Sequence, residues 1–478
     1  MRSTLNFAST RTPPRDTSPV AQFRLSEIIS ALSHALDLVE GQPRGHCQRT
    51  CMIGMRIAEF IRMSEADRAD LYYALLLKDA GCSSNAARMF QILSSDEIEA
   101  KRAVKTIDWR TVTWETVAFA ARHVGAGEAW WRRMLRLGQS ATQRAGQQKQ
   151  LIGIRCERGA AIAAELGFAP ATAAAIRHLD EHWDGGGYPD GLKGDQIPLA
   201  ARVLNLAQTL EVFAHAQGAQ AASDIARQRS GYWFDPELAS VGARLFESYE
   251  ILEDLAEAPR RVAALAPEDR LEAASPARIN DICRAFAGVV DAKSPYTSRH
   301  SAGVAETAVA IGRQLGLAQG ELTILERGGW LHDVGKLAVP NSILEKPGRL
   351  TAPEWAVVRE HPRVGQEILS RVEAFAPLAV LAGTHHERLN GTGYYRGWQE
   401  RELDQRMRIL AVADVYDALA AERPYRVGLP LEEVFALLEA DPLDADCVRA
   451  LKESLRPEAG AASDLDRLRE SVDEARSV

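Results

Sequence analysis

Apolar residues recur every three or four positions along most of this chain, and that spacing gives a helix one apolar face. The segments 25–40, 307–316 and 408–422 show the pattern most clearly. No segment alternates apolar and polar residues with the period of two that a half-buried strand shows. The pattern therefore predicts an all-α fold.

The helical pattern occurs twice along the chain. The matching segments are 45–61 with 299–315, 73–82 with 328–337, 154–163 with 360–369, and 199–213 with 405–419. The first two pairs are 254 residues apart (300 − 46), and the last two are 206 apart (361 − 155). The first copy therefore carries about 48 extra residues (254 − 206) between Cys82 and Arg155. Constant spacing over several helices predicts two tandem copies of one helical-bundle domain.

Changes in composition predict where the two copies begin and end. The predicted parts are a disordered N-terminal tail over 1–20, a first domain over 21–256 with an insertion at about 86–150, a linker over 257–277, a second domain over 278–460, and a C-terminal tail over 461–478. The N-terminal tail has no apolar core of the kind that a signal peptide needs. The linker is rich in proline, alanine and glutamate.

Charge and cysteine content narrow the class of protein. The 478 residues carry a net charge of −8 and a pI near 5.9, whereas non-specific binding to DNA needs a basic face. No apolar run reaches the length of about 18 residues that predicts a membrane span. The six cysteines form no paired metal-binding pattern, which is typical of reduced thiols in the cytoplasm. We therefore expect a cytoplasmic protein that binds neither DNA nor membranes.

The insertion includes the segment AWWRRMLRLGQSATQRAGQQKQ at 129–150. Tryptophan beside arginine is found on surfaces that stack nucleic-acid bases. The spacing also fits an amphipathic helix, and we predict that its tryptophan face docks onto the core or onto the other copy.

Histidines are concentrated in the second copy. Of the 11 histidines in the chain, the five after residue 215 are His300, His332, His361, His385 and His386. Asp333 and Asp414 add carboxylates, and imidazole and carboxylate are ligands of borderline divalent transition metals. Two such cations in one site can activate water and hold both the attacking and the leaving oxygen of a phosphodiester. The set therefore predicts a two-metal site built from several helices.

Asp333 and its neighbours carry side chains suited to such a site. The two oxygens of Asp333 can contact both metals, while His332 points about 100° away around the helix and binds one of them. Lys336 follows Asp333 by three residues and lies on the same helix face. We predict that Lys336 binds a phosphate oxygen or assists the leaving group.

Five short motifs in the second copy resemble the HD-GYP phosphohydrolases, a branch of the HD superfamily that bacteria use to hydrolyse cyclic dinucleotides. The motifs are HDVGK at 332–336, HP at 361–362, HHE at 385–387, DVYDAL at 414–419 and RPYR at 423–426. The resemblance covers about 285–455. It implies that the metal ligands are His300, His332, Asp333, His361, His385, His386 and Asp414.

The same resemblance implies the remaining roles in the site. Asp333 and Lys336 would be catalytic, and Arg423 and Arg426 would hold substrate phosphates, for which the forked guanidinium is well shaped. The implied cofactors are two divalent metal ions, iron or manganese, although ligand chemistry alone does not exclude zinc or nickel. The expected activity is a metal-dependent phosphodiesterase that converts cyclic di-GMP to a linear dinucleotide or mononucleotide.

The second copy departs from the family pattern in two places. Some members bind a third metal through a glutamate four residues before the first histidine, where this chain has Tyr296, so we expect two metals. The family loop HHExxDGxGYP is altered at Asn390 and Tyr395. Neither is a proposed ligand, so hydrolysis should persist while the substrate choice stays open. The mixed 3′,3′-cyclic GMP-AMP (cGAMP) is the alternative substrate.

The first copy lacks most of these side chains. The ligand positions hold Lys78, Arg155, Leu179, Asp180 and Gln208, and only His46 and Asp79 remain. Because two side chains cannot hold a dinuclear centre, we predict that this copy is catalytically inactive.

The glycine-rich loop at 184–198 keeps the family's full form in this inactive copy. We expect it to be a packing or interaction surface, either for the second copy or for a protein partner, and a homodimer is a further expectation. His178 and His182 lie near the loop but out of register with the ligand positions. We therefore expect structural or surface roles for both histidines.

A different class of function is a non-catalytic cyclic-dinucleotide receptor or scaffold whose metal site is vestigial. Against it, all seven ligand positions of the second copy are filled. Burying such polar groups costs free energy that only a bound metal would return. The metal content of the purified protein distinguishes the two alternatives.

Overall fold

The part of the chain that the structure, a computed structural model, describes is helical. The described residues are 24–93, 96–108, 113–125, 130–247, 249–267, 275–294, 299–346, 348–421 and 428–456. Within these ranges there is no strand, and extended pairing is limited to isolated β-bridges such as Ser230 with Phe234. The predicted all-α fold is therefore confirmed. Both predicted tails, together with Tyr296, Arg423 and Arg426, lie outside the described residues.

Thirteen helices make up the first part of the described chain. They are α1 (Leu25–Val39), α2 (His46–Phe60), α3 (Glu65–Leu77), α4 (Ala86–Leu93), α5 (Glu97–Val104), α6 (Trp114–His123), α7 (Trp130–Glu165), α8 (Pro170–Arg177), α9 (Leu199–Gln217), α10 (Ala219–Gln228), α11 (Pro236–Leu245), α12 (Tyr249–Ala256) and α13 (Ala258–Ala264). Polar caps start several of them. Ser64 accepts a hydrogen bond from the backbone N–H of Asp67 at the start of α3, which satisfies one of the free donors there.

Ten helices follow in the described residues of the second part. They are α14 (Pro276–Asp291), α15 (His300–Gln314), α16 (Gln319–Leu331), α17 (Asn341–Leu344), α18 (Ala352–Arg359), α19 (His361–Leu369), α20 (Ala376–Thr384), α21 (Gln405–Ala420), α22 (Leu431–Ala440) and α23 (Ala445–Ser454). A 3₁₀ helix over Val334–Ala338 follows α16. Asp404 caps α21 by accepting from the N–H of Met407.

The helix boundaries repeat with the spacing found in the sequence. Helices α2 and α15 begin and end 254 residues apart (300 − 46, 314 − 60), as do α3 and α16 (319 − 65, 331 − 77). Helices α8 and α20 begin 206 residues apart (376 − 170), as do α9 and α21 (405 − 199). The tandem arrangement is therefore confirmed.

One close backbone approach occurs at the same place in both copies. A Cβ on Gly81 would lie 1.9 Å from the carbonyl oxygen of Arg155, and a Cβ on Gly335 would lie 1.9 Å from that of His361. Any larger residue would collide with backbone there. Glycine thus lets the segment after α16 approach the start of α19, which carries His361.

The tryptophans of the insertion contradict one prediction. Trp130 and Trp131, at the start of α7, are 78% and 47% exposed, so they do not dock onto the core or the other copy. The first turns of α7 are held through Arg133, whose Nε donates to the carbonyl of Val124 at 3.2 Å. This contact uses an arginine rather than the apolar side chains, and the tryptophans are left facing solvent.

Part of the predicted linker is a packed helix. Ala258 and Val262 of α13 are fully buried, and α13 packs against α2. The apolar spacing in this short segment therefore anchors it to the first copy. Residues 268–274 of the linker lie outside the described residues.

The two copies share one apolar core. Helix α1 packs against the 3₁₀ helix Val334–Ala338 and against α19, the two elements that flank the candidate site. Polar contacts add to this interface, including an ion pair between Arg44 and Glu367 and a hydrogen bond from the N–H of Asn341 to Glu97 at 2.8 Å. The first copy thus supports the segments that carry the chemistry of the second.

Two further predictions can be compared with the described residues. All six cysteines are buried and unpaired, as reduced thiols would be. Among the described helices, none is both long and apolar enough to span a membrane.

Candidate metal centre

Six of the seven predicted ligands lie at or next to helix ends that converge in the second copy. His300 is the first residue of α15 and His361 the first of α19. His332 caps the C-terminus of α16, and His385 caps that of α20. Asp414 lies inside α21. All five are almost fully buried.

Asp333 lies at the centre of the site. Its Oδ2 is 3.3 Å from His332 Nε2 and 3.6 Å from His300 Nε2. Its Oδ1 is 3.3 Å from His361 Nε2 and 3.7 Å from His385 Nε2. The two oxygens of one carboxylate therefore face two different pairs of imidazoles, an arrangement suited to a carboxylate shared by two cations.

Asp414 supplies the second carboxylate and contacts histidines of both groups. Its Oδ1 is 3.3 Å from His300 Nε2 and 3.6 Å from His332 Nε2, while its Oδ2 is 3.6 Å from His386 Nδ1. The structure thus brings together all seven residues that the sequence analysis selected.

Each buried histidine of the set is oriented through its second ring nitrogen. The Nδ1 contacts are His332 with the carbonyl of Gly329 at 2.7 Å, His361 with that of Val358 at 2.7 Å, His385 with that of Ala382 at 2.9 Å, and His300 with Asp417 Oδ2 at 2.6 Å. An Nδ1–H that donates to such an oxygen leaves Nε2 free to bind a cation.

Asp417 is a further candidate site residue, which the sequence analysis did not select. It lies within the DVYDAL motif, and its carboxylate contacts Nδ1 of His300 and so orients that ring. The available signal was its position three residues after Asp414, which places both carboxylates on one face of α21.

The chemistry of these atoms fits divalent cations. His332 Nε2 and Asp333 Oδ1 are buried and form no hydrogen bond, although each lies 3.3 Å from another candidate ligand. Two groups of potential ligands share Asp333, namely His300 with His332, and His361 with His385 and His386. Buried polar atoms without partners are costly, and cations between them would supply the missing interactions.

The protonation of the site also fits metal binding. Burial by itself raises the pKa of Asp333, but His332 and Lys336 outweigh it and hold that pKa well below its usual range. Burial lowers the pKa of His385 to about 4 and places that of His386 well below its usual range. Burial opposes protonation of His332 too, yet Asp333 and Asp414 raise its pKa to about 10. Cations would replace the proton that these carboxylates otherwise attract.

Lys336 lies beside the shared carboxylate. Its Nζ forms an ion pair with Asp333, and its side chain is 20% exposed, so it lies between the buried ligands and solvent. Arg423 and Arg426, the predicted phosphate-binding pair, lie outside the described residues.

Glu387 organises the loop beside the site, a role that the sequence analysis missed. Its buried carboxylate accepts hydrogen bonds from the N–H groups of Arg396, Gly397 and Trp398 at 2.7, 3.2 and 2.9 Å. The loop presents Tyr394, whose ring stacks on His386 with 4.6 Å between the ring centres. The available signal was the glutamate that follows the two histidines in HHE.

The first copy uses the equivalent glutamate in the same way. Glu181 accepts from the N–H groups of Asp190, Gly191 and Leu192 at 2.7, 3.1 and 3.0 Å. The loop at 184–198 is therefore built like its partner at 390–398. Whether it binds a protein partner stays a prediction.

Ion pairs fill the place of the metal ligands in the first copy. Lys78 Nζ lies 2.9 Å from His46 Nε2 and pairs with Asp79, while Arg155 pairs with Asp180. His46 Nδ1 contacts Glu211 just as His300 contacts Asp417, so the outer carboxylate is kept although an ammonium stands where a metal would bind. This arrangement supports the predicted loss of catalysis in this copy.

The remaining ligand-like groups of the described first copy have other partners. Glu40 and Asp79, which lie near Cys82, pair with Lys105 and Lys78. His178 and Asp190 lie near Glu181, whose carboxylate holds the loop. His182 is buried against Trp233, with 4.1 Å between ring centres, in the structural role that was predicted for it.

Sequence comparison identifies the same two regions. A family profile described as the HD domain matches residues 81–238 and 284–444. The chain is 41% identical over 438 residues to a 3′3′-cGAMP-specific phosphodiesterase 3 of Vibrio cholerae, a match that covers 91% of this chain and 95% of that protein. It is 39% identical over 171 residues to the cyclic di-GMP phosphodiesterase response regulator RpfG of Xanthomonas campestris, covering 35% of this chain and 45% of that protein.

A solved structure supports the arrangement of both copies. The crystal structure of a cyclic GMP-AMP specific phosphodiesterase from V. cholerae matches with a TM-score of 0.63 and 37% sequence identity. The match covers 91% of this chain and 98% of that chain. The similarity therefore extends across both copies rather than over the second alone.

Proposed function

We propose that this chain, which belongs to the HD-GYP group of HD-domain phosphohydrolases, is a metal-dependent phosphodiesterase that hydrolyses a cyclic dinucleotide in its second copy. One observation carries the proposal. Asp333 directs its two oxygens at two separate pairs of buried imidazoles, and Asp414 faces both groups. The full-length similarity to a curated phosphodiesterase supports it.

The proposed cofactors are two divalent metal ions, iron or manganese, held by His300, His332, Asp333, His361, His385, His386 and Asp414. When bound, such ions polarise a phosphodiester and make a water molecule nucleophilic near neutral pH. Ionised Asp333 and Asp414 supply the negative charge that holds dications in this buried site. The low pKa values of His385 and His386 keep their rings neutral, as ligands must be.

Lys336 is proposed to act on the substrate phosphate. Its Nζ is anchored to Asp333 but remains partly exposed. From there it can donate to a phosphate oxygen, or to the 3′ oxygen that leaves when the P–O bond breaks and water adds to phosphorus. Arg423 and Arg426 are proposed to hold the substrate's phosphates.

Cyclic GMP-AMP is the substrate that we now place first. The sequence motifs alone favoured cyclic di-GMP, with cGAMP as the alternative. The relative matched over 95% of its length is named for cGAMP, whereas the match to the cyclic di-GMP relative RpfG covers 45% of that protein. The altered loop positions Asn390 and Tyr395 flank the segment that presents Tyr394, whose ring stacks on the proposed ligand His386, and we propose that they contribute to this choice.

Hydrolysis of both cyclic dinucleotides by the metal-loaded protein tests the proposal. We expect turnover of cGAMP to exceed that of cyclic di-GMP, and we expect His332→Ala/Asp333→Ala to abolish both activities. The control is His178→Ala/Asp190→Ala, which removes an imidazole and a carboxylate from the partly exposed group of the first copy and should retain activity. Full hydrolysis by the His332→Ala/Asp333→Ala variant would refute the proposal.

The receptor alternative predicts a different metal content. A receptor with a vestigial site would contain far less than one equivalent of iron or manganese and would gain no activity from added metal. The proposed enzyme should bind about two equivalents. A homodimer, a cytoplasmic location and a protein partner at 184–198 remain predictions.

A further inference from the structure

A cavity of about 160 Å³ lies in the first copy where the second copy has its candidate metal centre. Three of its lining residues, Arg155, Asp180 and Gln208, stand at the positions of His361, His386 and Asp414. The duplicated fold has therefore kept an opening at this place although the ligands have changed.

The cavity has an excess of positive charge. Its lining includes four cations (Lys101, Lys105, Arg155 and Arg229) and two carboxylates (Glu40 and Asp180). Glu40 pairs with Lys105 at 2.8 Å and with Lys101 at 3.5 Å, and Asp180 pairs with Arg155. These six side chains carry a formal charge of about +2, although Lys105 also lies 3.7 Å from Asp79, which is outside the lining. A cavity of this kind attracts an anion.

Arg229 is the cation of this lining that forms no ion pair with a described carboxylate. It is only 3% exposed, and its guanidinium stacks 3.9 Å from the ring centre of Trp233. Among the described residues it forms no side-chain hydrogen bond and no ion pair. Burial lowers its pKa, although Asp108 and Glu115 oppose the effect. A buried guanidinium that stacks on an aromatic ring but forms no ion pair is costly, and a bound anion would reduce that cost.

Neutral polar side chains also line this cavity, and a second cavity adjoins it. The amide oxygens of Gln208 and Asn85 are buried without hydrogen bonds. A neighbouring cavity of about 610 Å³ shares the side chains of Arg229 and Ile107 with the first. Aromatic residues such as Phe119 line it together with the carboxylates Asp108 and Glu115. The small cavity suits a compact anionic group, and the larger one has room for an organic portion on the other side of Arg229.

We propose that the first copy binds a small phosphate-bearing molecule, with the phosphate in the cavity beside Arg155 and Arg229 and the organic portion in the neighbouring cavity. Forked guanidinium groups match phosphate oxygens, and no metal is needed because fixed cations supply the charge. The duplicated domain would then have exchanged a metal-dependent catalytic site for a metal-free binding site. The proposal is independent of catalysis in the second copy.

Calorimetric titration of the full-length His332→Ala/Asp333→Ala variant, with chelator present, tests this binding apart from the metal centre. The probes are inorganic phosphate, GMP and cGAMP, with guanosine as the uncharged comparison. We expect at least one phosphate-bearing probe to bind with one equivalent per chain, and guanosine to bind at least 10-fold more weakly. Absence of binding by all three phosphate-bearing probes, or equal binding of guanosine and GMP, would overturn the proposal.

Variants in the same background locate the site. Arg229→Gln should weaken binding by about 10- to 100-fold, because it removes a charge-assisted contact. Arg227→Gln is the matched control, because Arg227 lies in the last turn of α10, the helix that Arg229 caps, but is half exposed and pairs with Glu247. Gln208→Glu adds a negative charge with little change of volume and should also weaken binding at least 10-fold.

Circular dichroism of each variant separates lost binding from lost folding. If Arg229→Gln does not fold, Gln208→Glu still tests the site. Binding by folded Arg229→Gln or Gln208→Glu that equals that of Arg227→Gln would show that the cavity is not the binding site.

Discussion

Replacing Glu387 with glutamine tests how the loop supports the metal centre. The Glu387 carboxylate accepts three backbone hydrogen bonds, with Oε1 serving Arg396 and Gly397 and Oε2 serving Trp398. Glutamine keeps one accepting oxygen but places an NH₂ group where the second oxygen accepted. The better orientation keeps the side-chain oxygen of glutamine facing the N–H groups of Arg396 and Gly397. The NH₂ group then faces the N–H of Trp398, so the 2.9 Å hydrogen bond is lost and two donors oppose each other.

The expected cost follows from these contacts. A hydrogen bond to a charged group contributes about 1.5–3 kcal/mol, and a buried donor left without a partner costs about 1–3 kcal/mol. Because the Trp398 end of the loop is only half buried, we expect a total loss of about 2–4 kcal/mol. Tyr394 on this loop stacks on His386, so loosening should also lower hydrolysis at least 10-fold.

Glu181→Gln is the matched control for this prediction. Glu181 accepts from three backbone N–H groups at similar distances, but its loop lies in the first copy and contacts no proposed metal ligand. We expect a comparable fall in melting temperature with most of the hydrolysis retained. Urea and thermal unfolding give the stability, and hydrolysis of cGAMP by the metal-loaded protein gives the activity. Normal activity and stability of Glu387→Gln, or equal loss of activity in both variants, would refute the reasoning.

Three further predictions concern the support of the site, a buried lysine and the metals. Asp417→Ala removes the 2.6 Å partner of His300 and should lower metal affinity about 10- to 100-fold, as measured by metal titration; unchanged affinity would contradict the assigned role. Burial lowers the pKa of Lys293 to about 7. Between about pH 7 and pH 10 the unfolded chain therefore binds more protons at this lysine than the folded chain does. As the pH rises across that window, Lys293 should raise the free energy of unfolding by up to about 1.4 kcal/mol per pH unit. Urea unfolding of Lys293→Met at pH 7, 8 and 9 should show a shallower rise than the wild type, and an identical rise would exclude the effect. Chelation should abolish hydrolysis and lower the melting temperature, and added manganese or iron should restore both; a melting temperature indifferent to chelator would argue against bound metal.

The sequence predicted the metal ligands of the centre but not the residues that orient those ligands and the neighbouring loop. The seven proposed ligands could be named because histidines are concentrated in the second copy and stand in short motifs that resemble those of the HD-GYP phosphohydrolases. Asp417 and Glu387 stood inside two of those motifs, but a carboxylate there is equally compatible with a solvated helix face. Their roles became visible once the ring of His300 and the N–H groups of the loop were placed around them.

For the insertion, the sequence predicted a buried surface that the structure does not have. The spacing of Trp130 and Trp131 predicted a helix, which α7 is, and predicted a buried face, which these residues do not have. Periodicity reports that a helix has an apolar side but not whether another element is present to cover it. The linker prediction missed helix α13 for the same reason. Its proline and alanine content does not show that α2 provides a surface for it to pack against.

The sequence by itself determined the helical fold, its duplication and the asymmetry between the copies, because helix periodicity and residue identity are local properties that repeat at a constant spacing. The tertiary structure alone decided which atoms meet. It directs the two oxygens of Asp333 at separate imidazole pairs, puts Lys78 against His46 in the first copy, and leaves Arg229 buried beside a cavity. Those relations depend on side chains far apart along the chain approaching within a few ångströms, and only the packing of the helices sets such distances.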